Sequence, residues 1–239
     1  MEKIYYDFHI HSCLSPCGDN DMTPNNMIGM AMLKELDAVA LTDHNTARNC
    51  PAFLEVAKAQ GLIAIPGMEL CTSEEIHVVC LFYELDDALS FDKYVYEKTP
   101  NIRNMTDIYG NQYIMNSKDE IVGEENKLLI TAADISLWDV PRLMEQFNGV
   151  AIPAHIDKTA YSVLSVFGMF PEDLSFPAVE IHKPQLTDSL IEKHSCIGDM
   201  NILHDSDAHY LWDISERYNS IETAERSVKS ILDSIKSCK

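Results

Sequence analysis

The stretch DFHIHSCLSPCGD (residues 7–19) places two imidazoles, His9 and His11, one residue apart and directly before a Ser/Pro/Gly turn. In an extended strand alternate side chains share a face, so the apolar row Ile4, Tyr6, Phe8, Ile10 predicts that Asp7, His9 and His11 lie together on the other face. Two imidazoles pointing the same way can donate nitrogen lone pairs to one cation, or they can be a half-buried polar pair at a strand end. The spacing alone does not separate these readings. Recurrence of such residues at other strand ends would.

Such residues do recur. AVALTDHN (38–45) ends in Asp43 and His44, LIAIPGMEL (62–70) carries Glu69 near its end, and EEIHVVCLF opens on His77. GVAIPAHID (149–157) ends in His155 and Asp157, FPAVEIHK (176–183) in His182 and Lys183, and NILHDSDAH (201–209) in His204, Asp205, Asp207 and His209. Core strands have no packing reason to end this way. In an α/β barrel or open sheet of parallel strands these ends meet at one face, where such folds build their active sites. Imidazoles and carboxylates crowded there repel and are desolvated, and bound cations are the simplest compensation. Nitrogen and oxygen donors suit zinc, iron or manganese, and the number of donors calls for two or three divalent ions.

The elements needed to hold these ends together can be read between them. TPNNMIGMAMLKELD (23–37) predicts an amphipathic helix with Thr23 as cap and Pro24 in its first turn, and PAFLEVAKAQ (51–60) a second one closed by Gly61. Only seven residues separate Glu69 from His77, too few for a parallel crossover, so these two strands should form a hairpin with His77 at the Glu69 end. Residues 84–137 change texture, with acidic clusters, tyrosines and turn residues, and read as an insertion with a helix and a small hairpin. Helices are expected again over 138–147, 186–194 and 222–236.

Composition bounds the partners. With 38 acidic and 18 basic residues the net charge is −20, which repels polyphosphate and predicts that no long nucleic acid binds. No apolar run is long enough to span a bilayer, and the scattered, odd number of cysteines, with an N-terminus lacking a signal-like apolar core, points to a reduced cytoplasmic protein away from membranes. Cys13 and Cys17 are read as structural.

Taken in order, DFHIHS, LTDHN, PGMEL, EIHVV, IPAHID and HDSDAH resemble the successive motifs of the polymerase and histidinol phosphatase (PHP) family, over nearly the whole chain outside 84–137. The resemblance implies an α/β fold, a distorted (β/α)7 TIM-like barrel in one domain with a small insertion, and a trinuclear metal site at its C-terminal face. By matching motif, His9, His11 and Asp207 would hold one ion, Glu69 would bridge, His77 and His155 would serve a second ion, and His44 with His209 a third. The usual first motif continues Ser-Asp-Gly, whose Asp also binds metal. Here Ser15 is followed by Pro16, Cys17 and Gly18, which leaves Asp19 as the substitute and Asp21 behind it.

The function expected is hydrolysis of a phosphate monoester of a small molecule by a metal-bridging hydroxide, with Glu69, Asp207 and His182 in catalytic positions. Lys158, Lys183, Arg48 and Arg217 are the cations near the site loops that could hold the phosphate. Asp43, His204 and Asp205 read as supporting residues, and 84–137 as a lid that shapes specificity. Three alternatives differ in class: an exonuclease acting on short oligonucleotides, an amidohydrolase, and a non-catalytic metal-binding module. Oligomeric state is not readable from the chain.

Overall fold

The computed structural model describes residues 1–237. A strand-helix alternation begins with β1 (Glu2–Ile10), α1 (Pro24–Leu33), β2 (Ala38–Leu41), α2 (Cys50–Gln60) and β3 (Ile63–Cys71). These three strands are parallel neighbours. Thr23 caps α1 by accepting a hydrogen bond from the Asn26 N–H, and Gly61 ends α2 in a left-handed conformation at φ 75°, both as their residue types predict.

β4 (His77–Phe82) returns antiparallel beside β3 with Cys71 opposite His77, so the expected hairpin puts His77 at the Glu69 end. α3 (Leu85–Lys98) then packs its Ala88, Phe91 and Val95 into the outer core. The short α4 (Thr106–Tyr109) and a separate hairpin of β5 (Tyr113–Met115) and β6 (Ile121–Glu124) follow. α5 (Val140–Gln146) leads into β7 (Gly149–Pro153), which pairs antiparallel with β4. After α6 (Val163–Phe167) come β8 (Ala178–Glu180), α7 (Thr187–Lys193) and β9 (Asn201–Leu203), with β8 and β9 parallel.

The ring closes through a few backbone hydrogen bonds. The Ile156 N–H donates to the Glu180 carbonyl at 2.9 Å, tying the end of β7 to β8, and the His11 N–H donates to the Ala208 carbonyl at 2.9 Å, tying the segment after β9 to β1. The α/β class and the distorted TIM-like barrel are therefore as expected. Inside it lie Ile4, Tyr6, Phe8, Ala38, Ala40, Ile65, Val79, Leu81, Val150, Ile152 and Ala178, while the alternate residues Val39, Leu41, Met68, Leu70, Val78 and Cys80 face the helices. β10 (Ser220–Thr223) and α8 (Val228–Lys236) complete the chain, and α8 sends Ile231, Leu232 and Ile235 into the inner cluster.

Two elements differ from the sequence reading. Residues 222–236 are not one helix: Ser220–Thr223 extends antiparallel along β1, with Glu2 opposite Thr223, and α8 starts only after Ser227, whose side chain caps it. Edge pairing outweighed helical periodicity there. Nor does β1 alternate strictly. Its register with β2 shifts between Asp7 and Ile10, an irregularity of the β-bulge kind, and Ile10 joins the outer cluster while Tyr6 and Phe8 stay in the inner one. One extra residue reverses the parity, so His9 and His11 open to the barrel interior above Phe8.

The segment 84–137 is tied to the loop that follows β1. The Tyr113 N–H donates to the Cys13 carbonyl at 3.0 Å, and the Thr23 hydroxyl donates to Asp119 at 2.8 Å. Gly110 has φ 99°, and a Cβ there would collide with the Pro16 carbonyl, so glycine permits close approach to the turn after His11. None of these residues lines the cavity that opens beside Glu69.

Candidate metal centre

Glu69 is fully buried and has five imidazoles around it. His9 Nε2 and His155 Nε2 each lie 3.2 Å from its Oε1, and His77 Nδ1 lies 2.9 Å from the same oxygen. His44 Nδ1 is 2.9 Å and His11 Nε2 3.4 Å from its Oε2. Asp207 Oδ1 stands 3.1 Å from His11 Nε2 and 3.4 Å from His9 Nε2. Three sets of donors fall within 4.8 Å of one another: His9, His11, Glu69 and Asp207; His44, Glu69 and His77; and His11, His44 and His209.

Neighbouring groups set the ring tautomers. The Ser15 hydroxyl donates to Asp43 at 2.7 Å, so towards His11 Nδ1, 3.0 Å away, it can only accept. His11 then keeps its proton on Nδ1 and turns a lone pair on Nε2 towards Glu69 and Asp207. Glu180 Oε2 accepts from His9 Nδ1 at 2.7 Å and leaves His9 Nε2 free in the same way, and the Asp207 carbonyl accepts from His209 Nδ1 at 2.8 Å. This is the arrangement by which protein groups orient histidines as metal ligands. Backbone strain accompanies it, since His155 and Asp207 have φ of 30° and 54°.

Without a cation the cluster does not balance. His9 Nε2 and His11 Nε2 face each other at 3.2 Å. Buried Glu69 Oε2, Asp207 Oδ1, His44 Nδ1 and His155 Nδ1 have no hydrogen-bond partner, the 2.9 Å His44–Glu69 approach being misaligned for one. Burial alone would raise the Glu69 pKa, yet His77, His9 and His44 hold it well below the ordinary carboxylate value, and His9 and His11 do the same for Asp207. His9 is pushed the other way: burial opposes its charge, but Glu180, Glu69 and Asp207 raise its pKa well above the usual one. Two carboxylates held ionised among inward lone pairs fit divalent ions.

A cavity of about 410 Å³ opens beside the cluster. Beyond the ligand-type residues its walls include Lys158, Tyr161, His182 and Lys183. Lys158 reaches Asp207, and Tyr161 stacks on His77 with ring centroids 4.7 Å apart. Burial and then Lys158 hold the His182 pKa below its ordinary value. Three other residues singled out from the sequence lie elsewhere. Asp19 turns its carboxylate to the Asp21 N–H at 2.8 Å and joins no donor set. Arg48 pairs with Glu125 and Asp92 and lies over Tyr96, and Arg217 stacks on Tyr5 beside Asp37. Both arginines are neutralised outside the cavity, so the phosphate-holding role read for them does not fit.

Sequence reading leaves Glu180 unmarked and takes Cys17 as structural. Glu180 was visible as a lone acid inside the apolar run AVEI, where a strand core gains nothing from it. Cys17 brings its Sγ to 3.1 Å from His209 Nε2. Although burial raises its pKa, His44 and His209 lower the thiol to about 6. Asp43, read as a supporting residue, accepts from the Ser12 N–H at 2.7 Å as well as from Ser15.

A barrel of mostly parallel strands with this His/carboxylate cluster at its C-terminal mouth belongs to the class of metal-dependent hydrolases. More narrowly, residues 7–236 match the PHP domain model, and the chain belongs to that family. It is 35% identical over 83 residues to the 5′-3′ exoribonuclease Rnm of Salmonella typhimurium, an alignment covering 33% of this chain and 27% of that protein. With the Escherichia coli enzyme of the same name it shares 33% over 91 residues, 36% of this chain and 30% of that one. The alignments thus span less than a third of these relatives. Among solved structures the lesion-specific endonuclease PfuEndoQ of Pyrococcus furiosus superposes with TM-score 0.70 at 17% identity, over 98% of this chain and 56% of that one. A candidate metal-dependent phosphoesterase from Bifidobacterium adolescentis gives 0.61 at 17%, covering 95% and 94%.

These relatives overturn the expectation drawn from net charge. Exoribonucleases and an endonuclease occur among them, and Endonuclease Q, which superposes at 0.66 with 17% identity over 98% of this chain and 57% of that one, is solved with a 27-mer duplex substrate. A total charge of −20 is summed over the whole surface and does not by itself exclude a nucleic-acid partner, because binding follows the local field. No helix among the described residues is long and apolar enough to cross a membrane.

Proposed function

We propose that this chain hydrolyses phosphate esters at the mouth of the barrel, taking one nucleotide-sized phosphorylated group at a time. The convergence of His9, His11, His44, His77 and His155 on Glu69 beside a lysine-lined cavity carries this reading. Its volume of about 410 Å³ suits a small phosphate monoester, within the usual range for small-molecule pockets. An observation favours a second reading as well: Tyr161, half exposed on the cavity wall, offers a ring face to a base, so the group admitted could be the terminal nucleotide of a strand.

Two or three divalent ions of zinc, iron or manganese, when bound, supply Lewis-acid activation of water and neutralise charge on the phosphoryl oxygens. The protein's own groups do the rest. Glu69 and Asp207 hold negative charge between the donor sets, while Glu180 and Ser15 keep the His9 and His11 lone pairs aimed inward. Lys158 and Lys183 orient the phosphate. Burial and Lys158 lower the His182 pKa, and a phosphate bound beside Lys158 would raise it again and let the ring hand a proton to the leaving oxygen.

The test is to reconstitute the protein with zinc, manganese or iron and assay phosphate release from nucleoside, sugar and amino-alcohol monophosphates. Mononucleotide release from end-labelled RNA and DNA is followed in parallel. Hydrolysis that disappears on chelation supports the proposal. Protein that takes up metal and releases neither product overturns it.

A further inference from the structure

We infer that Cys17 is a thiolate ligand of the metal site formed with His44 and His209; the inference rests on the metal-centre reading above. The turn after His11 delivers the thiol. The Gly18 N–H donates to the Ser15 carbonyl and the Asp19 N–H to the His209 carbonyl at 2.9 Å, which pins this turn against the last donor segment. A Cβ at Gly18 would strike the Ser12 carbonyl, so the turn is as tight as glycine allows. Cys17 Sγ ends 3.1 Å from His209 Nε2 and faces His44.

A lone thiol would say little, but the nitrogens around it point the same way. Donor atoms of His11, His44 and His209 come within 4.8 Å of one another, His44 is buried beside the thiol, and His209 donates its Nδ1 proton to the Asp207 carbonyl, which leaves its Nε2 lone pair facing the sulfur. Sulfur adds a thiolate to the His44 and His209 imidazoles, and mixed nitrogen and sulfur donors of this kind suit zinc. Neither rival donor serves, because Asp19 is turned to its own loop and Cys13 is wholly buried beneath the turn. Metal binding takes the thiolate and releases its proton to solvent. A soft sulfur also separates this site from the carboxylate-rich set of His9, His11, Glu69 and Asp207: it should favour zinc or cobalt, whereas the other accepts manganese.

Purified metal-free protein is loaded with cobalt and its near-ultraviolet spectrum recorded, with metal content measured on the same samples. Wild type and Cys13→Ala should show thiolate-to-cobalt charge transfer, and Cys17→Ser should lose it together with about one ion per chain. Cys17→Asp should keep the ion without the band and shift preference towards manganese by roughly tenfold or more. Alkylation of Cys17, followed by mass spectrometry, should slow on zinc loading. Cobalt bound at wild-type stoichiometry without a thiolate band, or a band that survives in Cys17→Ser, overturns the role of Cys17 and leaves the metal centre standing. Protein that binds no metal at all overturns both.

Discussion

The two ends of the barrel are built on opposite terms. At the N-terminal end, next to the start of β2, Asp37 accepts hydrogen bonds from Arg226 at 2.8 Å and the Tyr5 N–H at 2.9 Å, and Arg217 stacks over the Tyr5 ring at 4.1 Å. Charge there is paired, and left-handed backbone falls on turn residues such as Gly61 and Asn148. At the C-terminal mouth, buried oxygens of Glu69 and Asp207 go without hydrogen bonds, and left-handed backbone falls on His155 and Asp207 themselves. One end is arranged for the folded chain alone, the other for something the chain must bind. Strain and unmet polarity collect where ligands are to be held, and the rest of the molecule compensates.

Replacing the Glu69 carboxylate should separate the two ends most widely. Glu69→Gln keeps the shape and removes the charge shared by the donor sets, so turnover should fall on the order of 10³-fold, a loss of several kcal/mol in transition-state stabilisation. Metal added to wild type should raise Tm by mass action, and that increment should vanish in the variant. Thermal scans with and without zinc, beside elemental analysis, check this; an unchanged increment would place the ions elsewhere. Glu180→Gln acts one step further out. By loosening the His9 tautomer it should lower metal affinity or turnover about 10- to 100-fold, measured by competition with a chelating dye.

Lys158 lies on the boundary between holding the fold and holding a ligand, because its ammonium reaches Asp207 but also lines the cavity. Lys158→Ala should lower kcat/KM by roughly tenfold, mostly through KM, from the loss of one charge-assisted contact to phosphate. Metal content should not change. A variant that loses metal instead would show that the lysine serves Asp207 rather than substrate.

The mouth was the more readable end, because its signal is local: His, Asp or Glu closing an apolar run is conspicuous wherever the strands later meet. Glu69, His77 and His155 were found that way, and hairpin length alone oriented His77. What escaped depends on distant geometry or on fine phase. The bulge in β1 follows from pairing with β2 and cannot be seen in the alternation of Ile4, Tyr6, Phe8 and Ile10. Cys17 rather than the Asp19 carboxylate meets His209 because the Asp19 N–H is held by the His209 carbonyl from the other end of the chain while its carboxylate accepts from the Asp21 N–H. Arg48 and Arg217 look equally free in sequence, whereas their acidic partners Glu125 and Asp37 stand far away along the chain.

The smallest expected effect tests the closed end. Burial would raise the Asp37 pKa, but Arg226, the Tyr5 N–H and Arg217 together lower it below the ordinary carboxylate value. A group whose folded pKa is depressed stabilises the protein above its unfolded pKa and loses that contribution as pH falls through the folded one. The Arg226 side chain is half exposed, so the pair is screened and Asp37→Asn should cost only about 1 kcal/mol at neutral pH. In urea titrations the gap between wild type and variant should therefore be present at pH 7 and close in acid, below the usual carboxylate range. Metal content and kcat should be the same in both proteins. A gap that widens in acid would give Asp37 the wrong sign, and a fall in kcat without loss of stability would mean that the two ends are coupled rather than divided in their work.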